Sequence, residues 1–271
     1  MENLKTPYCS VLTIAGSDSG GCAGIQADIK SISACGAFAA SVITATTAQN
    51  TQGIFDIHPI PISHIEKQLD AVLSDMEFGA IKIGMLHSSE VIETVANKLA
   101  QYNINNIILD PVMVATSGDN LIINEAISSL KEFLPKASLI TPNIPEAALL
   151  IGHPIAFSNL KNSAREIGQL YRTSVLLKGG HLDPENNETT DILYLHKQCE
   201  LITINNPWIT TKNTHGTGCS LSSSIAAFLS LGHNLETAVK KGCNYTNQAI
   251  AQAENKILGK GNGPVNHFGL K

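Results

Sequence analysis

The chain has 271 residues, 43% hydrophobic and 15% charged, enough to bury a large core, and its length fits a single α/β domain over 1–271. Its 18 basic and 23 acidic side chains give a formal net charge of −5, which argues against the basic surface that nucleic-acid phosphates or anionic lipid require. The expected partner is a small molecule.

The N-terminal stretch MENLKTPYCSVLTIAG lacks a long apolar segment behind basic residues, and no later run reaches the roughly 18 apolar residues that span a bilayer. A soluble, cytoplasmic protein is expected. The six cysteines are scattered without a C-x-x-C pair and are read as reduced thiols, and the nine histidines show no zinc-ligand spacing.

In chain order, strands are predicted at Ser10 to Ala15, Ala40 to Thr44, Ala80 to Gly84, Asn106 to Asp110, Ser138 to Thr141 and Val175 to Lys178. Between and after them, helices are predicted at Ala23 to Ala34, Ile62 to Met76, Glu90 to Tyr102, Glu125 to Leu134, Pro145 to Ile151, Leu160 to Tyr171, Cys219 to Leu231 and Leu235 to Ala253. Near-continuous apolar strands alternating with helices predict a mostly parallel sheet covered on both faces. TTDILYLH and CELITI read as an antiparallel pair at its far side, and the polar HLDPENNETT before them is expected to act as a flap, 182–190, over a bound nucleotide.

Ligands of such sheets sit beyond the carboxyl ends of the strands, where this chain concentrates its polar groups. GSDSGGCAGIQAD, directly after the first strand, reads equally as a binding turn or a tight strand-to-helix connection, since it matches neither the Rossmann nor the Walker spacing. HGTGC is more specific. Its glycines can turn successive backbone N–H groups toward one anion at a helix start, where Cys219 should have its thiolate favoured, unless that thiol is merely a small packing residue. Asp110 and Glu146 follow buried strands and could hold Mg²⁺ through water, the alternative for Glu146 being to complement the helix that Pro145 opens.

Together, AGSDSGGCAGIQADIK, SVITATTAQNTQG, KIGML, LDPVM, SGD, LITPNIPEA, LLKGGH, NTHGTGC and GKGNGPVNHF resemble, in this order and over nearly the whole chain, the hydroxymethylpyrimidine/phosphomethylpyrimidine kinases of the ribokinase-like superfamily. The resemblance implies a three-layer α/β/α fold, ATP and Mg²⁺ as cofactors, a homodimer, and two successive phosphorylations of 4-amino-5-hydroxymethyl-2-methylpyrimidine. It further implies that Gln49 reads the pyrimidine edge by accepting from the amine and donating to the ring nitrogen, with Gly16, Asp28 and Met85 completing the pocket. Lys178, Thr214 and the amides of Gly216 and Gly218 would receive phosphate, and Cys219 would be the catalytic base.

Cys22, Asn262 and Asn266 depart from the family pattern, Cys22 within the presumed substrate loop. The nearest alternative is a pyridoxal kinase of the same superfamily, against which Gln49 and the cysteine of HGTGC count. A non-catalytic ligand-binding protein of this fold would have no need of the glycines, Glu146 and Cys219 together.

Overall fold

Strand residues alternate between two cores. In β1 (Ser10–Asp18), Leu12 and Ile14 face one core and Val11 the other; in β5 (Ile107–Leu109), Ile107 and Leu109 are separated from Ile108 in the same way. The period of two puts apolar side chains on both faces, so both faces need helices. The computed structural model describes residues 6–113, 124–180 and 188–269.

The remaining strands are β2 (Phe38–Asn50), β3 (Gly53–Pro59), β4 (Ala80–Ile83), β6 (Leu139–Ile140), β7 (Ser174–Leu177), β8 (Glu188–Leu195) and β9 (Glu200–Pro207). They form one nine-stranded sheet in the order β3-β2-β1-β4-β5-β6-β7-β8-β9. The pairs from β2 to β7 are parallel, whereas β2–β3, β7–β8 and β8–β9 are antiparallel.

One face is covered by α2 (Ile62–Leu73), α3 (Ser89–Gln101), α4 (Asn124–Phe133), α5 (Ile144–Ile151) and α6 (Leu160–Tyr171), through residues such as Leu69, Val95, Phe133, Leu150 and Ile167. The other is covered by α1 (Gly24–Ala34), α7 (Thr217–Ser230) and α8 (Leu235–Ala251), through Ile32, Ile225 and Val239. This is the three-layer α/β/α arrangement. No helix among the described residues is long and apolar enough to cross a membrane.

The predicted elements are present with ends shifted by a few residues, and two differences matter for the site. β2 continues to Asn50 and folds back as β3, a strand the apolar pattern does not reveal because its residues are exposed or half-buried. The helix after HGTGC starts at Thr217, so Cys219 lies in its first turn rather than at its first position. The motif SGD at 117–119 and most of the expected flap, 181–187, fall outside the described residues.

Candidate active site

A cavity of about 760 Å³ opens beyond the carboxyl ends of the parallel strands and is lined by every predicted site residue except Asp28. At one end lie Gly16, Gln49 and Met85. Gly16 sits where β1 shifts register against β2, a bulge of the kind that re-aims a strand beside a site. A Cβ on Gly16 would come within 2.5 Å of the Met85 methyl, so the missing side chain lets that thioether reach over the loop.

Gln49 lies at a second register shift, between β2 and β3. Its Nε2 stands 3.0 Å from His215 Nε2, and its Oε1 accepts from the Thr47 hydroxyl at 3.1 Å. The loop after β1 is organised by buried Asp18, whose carboxylate accepts from the backbone N–H groups of Gly20, Cys22 and Ala23 at 2.8 Å each. Cys22 is fully buried and does not line the cavity, so its departure from the family pattern adds no side chain to the substrate surface. Asn262 and Asn266 are absent from the cavity wall as well.

The opposite end is ionic. Lys178, at the end of β7, donates to Asp110 at 3.1 Å, and Asp110 also accepts from Thr141 at 2.8 Å. Burial works against the Lys178 ammonium, but Asp110 and Glu146 outweigh it and hold its pKa above the ordinary lysine value. Glu146 forms a capping box with Asn143 at the start of α5, donating its own N–H and accepting that of Asn143, both at 2.8 Å. Burial lifts its pKa to about 7; Asp110 adds to the rise and Lys178 opposes it. The capping role and a place in the cavity therefore coexist in one side chain.

The segment before α7 connects the two ends. Gly216, its N-cap, has φ +81°, and a Cβ there would run into the carbonyl oxygen of Cys22, so only glycine fits both the conformation and the contact. A Cβ on Gly218 would lie 3.4 Å from Asp110 and 3.5 Å from Lys178 Nζ, which places the first turn of α7 against the ion pair. Thr214 accepts from Thr217 through its backbone oxygen, at 2.6 Å from the hydroxyl. The free N–H groups of this turn and the positive end of the helix dipole suit an anion.

Two expectations need correction. Asp28 does not line the cavity. It is fully buried behind it, bound at 2.8 Å through both oxygens to Lys82 and accepting from Thr13 and Ser223 at 2.6 and 2.7 Å, so its acceptors are engaged within the protein. Cys219 does line the cavity, but burial pushes its thiol up to about 11; Lys82 and a Gly24 N–H pull it down, while Asp28 and Asp110 oppose them. Desolvation outweighs the pull of Lys82 and Gly24, and the resting thiol is protonated at neutral pH.

Lys82 was not singled out from the sequence, although a lysine inside AIKIG, an otherwise apolar strand, signals a buried partnered charge. His215 stood within HGTGC without a role. Asp191 was also missed: it lines the cavity and accepts from the Gly179 N–H at 2.9 Å, and burial raises its pKa to about 6.

A family model described as phosphomethylpyrimidine kinase matches residues 18–266. The chain belongs to this family. It is 43% identical over 263 residues to the hydroxymethylpyrimidine/phosphomethylpyrimidine kinase of Bacillus subtilis, a match covering 96% of this chain and 95% of that one. The crystal structure of phosphomethylpyrimidine kinase from Clostridium difficile is 42% identical with a TM-score of 0.77, covering 89% of this chain and 99% of that one. The pyridoxal kinase of Staphylococcus aureus, solved with AMP-PCP and pyridoxal, superposes with a TM-score of 0.86 at 29% identity, covering 97% of this chain and 95% of that one.

Proposed function

We propose that this protein transfers phosphoryl groups from ATP to 4-amino-5-hydroxymethyl-2-methylpyrimidine, forming the monophosphate and then the pyrophosphate used to build thiamine. The observation that carries this reading is the division of one cavity into an end where Gln49 pairs with uncharged groups and an ionic end around Lys178, joined by the glycine-rich start of α7. Family membership supports the same reaction.

At the neutral end, Gln49 accepts from the ring amine and donates to the adjacent nitrogen, while Met85 offers an adaptable apolar face. At the ionic end, Lys178, Thr214 and the amides of Gly216 and Gly218 position and neutralise the transferring phosphate. Asp110 and Glu146 are the residues that would hold Mg²⁺. Two hard carboxylates, with no third His, Cys, Asp or Glu clustered with them among the described residues, fit an ion that keeps several waters. When bound, Mg²⁺ supplies charge against phosphate oxygens.

Cys219 takes the proton of the attacking hydroxyl. Because burial lifts its thiol to about 11, only the thiolate fraction of the protein is competent, and accepting the hydroxyl proton returns that thiolate to the thiol. Asp28 acts from behind, holding Lys82 beside this thiol.

We further propose a single cytoplasmic domain that works as a homodimer, for which the exposed Phe55 on edge strand β3 offers an apolar contact. Pyridoxal is the second reading, favoured by the closer superposition on the pyridoxal kinase and opposed by the higher identity to phosphomethylpyrimidine kinases. Product identification with ATP and each ring decides: monophosphate followed by pyrophosphate from the pyrimidine is expected. Turnover of pyridoxal alone would overturn the assignment.

A further inference from the structure

We propose that His215 fixes the amide orientation of Gln49, and through it decides which heteroaromatic edge the cavity accepts. The inference rests on the reading of Gln49 as the ring's hydrogen-bond partner.

Gln49 Nε2 faces His215 Nε2 at 3.0 Å. An amide nitrogen only donates, so the imidazole nitrogen opposite must be an acceptor, and the neutral ring must carry its proton on Nδ1. On the other side of the amide, Thr47 Oγ1 lies 3.1 Å from Gln49 Oε1 and 3.0 Å from the Ser17 carbonyl oxygen.

A hydroxyl has one proton and free lone pairs. With the proton on Oε1, Thr47 serves the observed orientation; with the proton on Ser17 O, it could accept from a flipped amide. Thr47 therefore tolerates both states. His215 discriminates in its Nδ1-protonated tautomer, because a flipped amide would require a proton on Nε2.

The imidazole is well placed to hold this choice. Its backbone N–H donates to Gly263 O at 3.0 Å and its strand-like bridge to Pro264 ties the segment to the C-terminal region. Burial keeps the ring below its ordinary pKa, with the Asp18 carboxylate opposing, and a neutral ring is the form that can accept.

A flip of the amide exchanges donor and acceptor at the ligand. An amine beside an unprotonated ring nitrogen fits one orientation, and an oxo group beside a protonated nitrogen fits the other. His215 is thus a positioning residue for specificity that acts through Gln49.

The test compares kcat/KM for the 4-amino pyrimidine and its 4-oxo counterpart in the wild-type protein and in His215→Leu, His215→Gln and Gln49→Leu. In His215→Leu the preference for the amino ring should shrink at least about tenfold, through the KM for the ring and not that for ATP. His215→Gln, whose carbonyl can accept from Gln49, should recover part of it.

Side-chain ¹⁵N–¹H spectra of the wild-type protein, with His215 assigned by its loss in His215→Gln, should show Nδ1 protonated and Nε2 bare, and this readout does not depend on how His215→Leu folds. A proton on Nε2, or an unchanged preference in His215→Leu while Gln49→Leu loses it, would overturn the role of His215. An unchanged preference in Gln49→Leu would overturn the reading of Gln49 and this inference with it.

Discussion

The two ends of the cavity solve recognition differently. Around Gln49, Thr47 and His215 the contacts are neutral and their geometry is read through donor and acceptor positions. Around Lys178, Asp110 and Glu146 the contacts are ionic: the two carboxylates hold the Lys178 ammonium, while burial lifts Glu146. A neutral end selects by shape and pairing, and an ionic end binds and activates through field strength. Damage to the first should appear in the KM for the ring, and damage to the second in the rate of transfer.

Within the two ends themselves, the largest expected effect comes from Lys178→Met. Removing one electrostatic donor from a preorganised site costs about 10²–10³ in rate, and here Asp110 would also lose its buried partner. Steady-state kinetics should show the loss in kcat with the ring's KM little changed. A comparable rise in that KM with kcat intact would erase the distinction between the two ends.

Lys82→Met should act on stability. It leaves Asp28 as a buried carboxylate without its cation, and breaking such a pair costs about 3–5 kcal/mol. Denaturant unfolding should show the drop, and wild-type stability would mean that Thr13 and Ser223 suffice for Asp28.

Gln49→Leu should raise the KM for the pyrimidine with the ATP KM unchanged, since one unsatisfied polar group costs about 1–3 kcal/mol. A matching rise in both constants would place Gln49 outside the neutral end.

The smallest effect is that of pH on the ionic end. Glu146 has its pKa raised to about 7, so it is protonated as pH falls below that value and ionised above it. The Mg²⁺ concentration needed for half-maximal rate should therefore rise between about pH 7 and 6, and Glu146→Gln should abolish this dependence. A flat Mg²⁺ requirement in the wild-type protein would remove Glu146 from the metal site.

Much of this was legible in the sequence because it follows from local pattern. Apolar runs such as AIKI and IIL, separated by amphipathic helices, determine a sheet covered on both sides, and glycines at 216 and 218 mark the tight turn that opens α7. What was not legible depends on long-range burial. Asp28 is 54 residues from Lys82 and 195 from Ser223, and nothing local to it shows that its oxygens are already engaged.

The Cys219 thiol failed for the same reason. A helix N-terminus can be read from a few residues, but the desolvation that raises this thiol comes from the packed surroundings as a whole. β3 escaped because the alternation that reveals a strand needs one buried face, and its residues have none.

The role of Cys219 is the point at which the two ends meet. The decisive measurement is the single-turnover rate of phosphoryl transfer to the pyrimidine from about pH 7 to 9 in wild type, Cys219→Ala and Cys219→Asp. With a thiol near 11, the thiolate fraction rises about tenfold per pH unit across this range, so the wild-type rate should climb with pH. The alanine variant should be at least about tenfold slower, toward the 10²–10⁴ that a positioned base contributes, and independent of pH. The aspartate variant should recover part of the rate without the climb. An alanine variant that transfers phosphate at the wild-type rate would contradict the account, leaving Cys219 as packing at the start of α7.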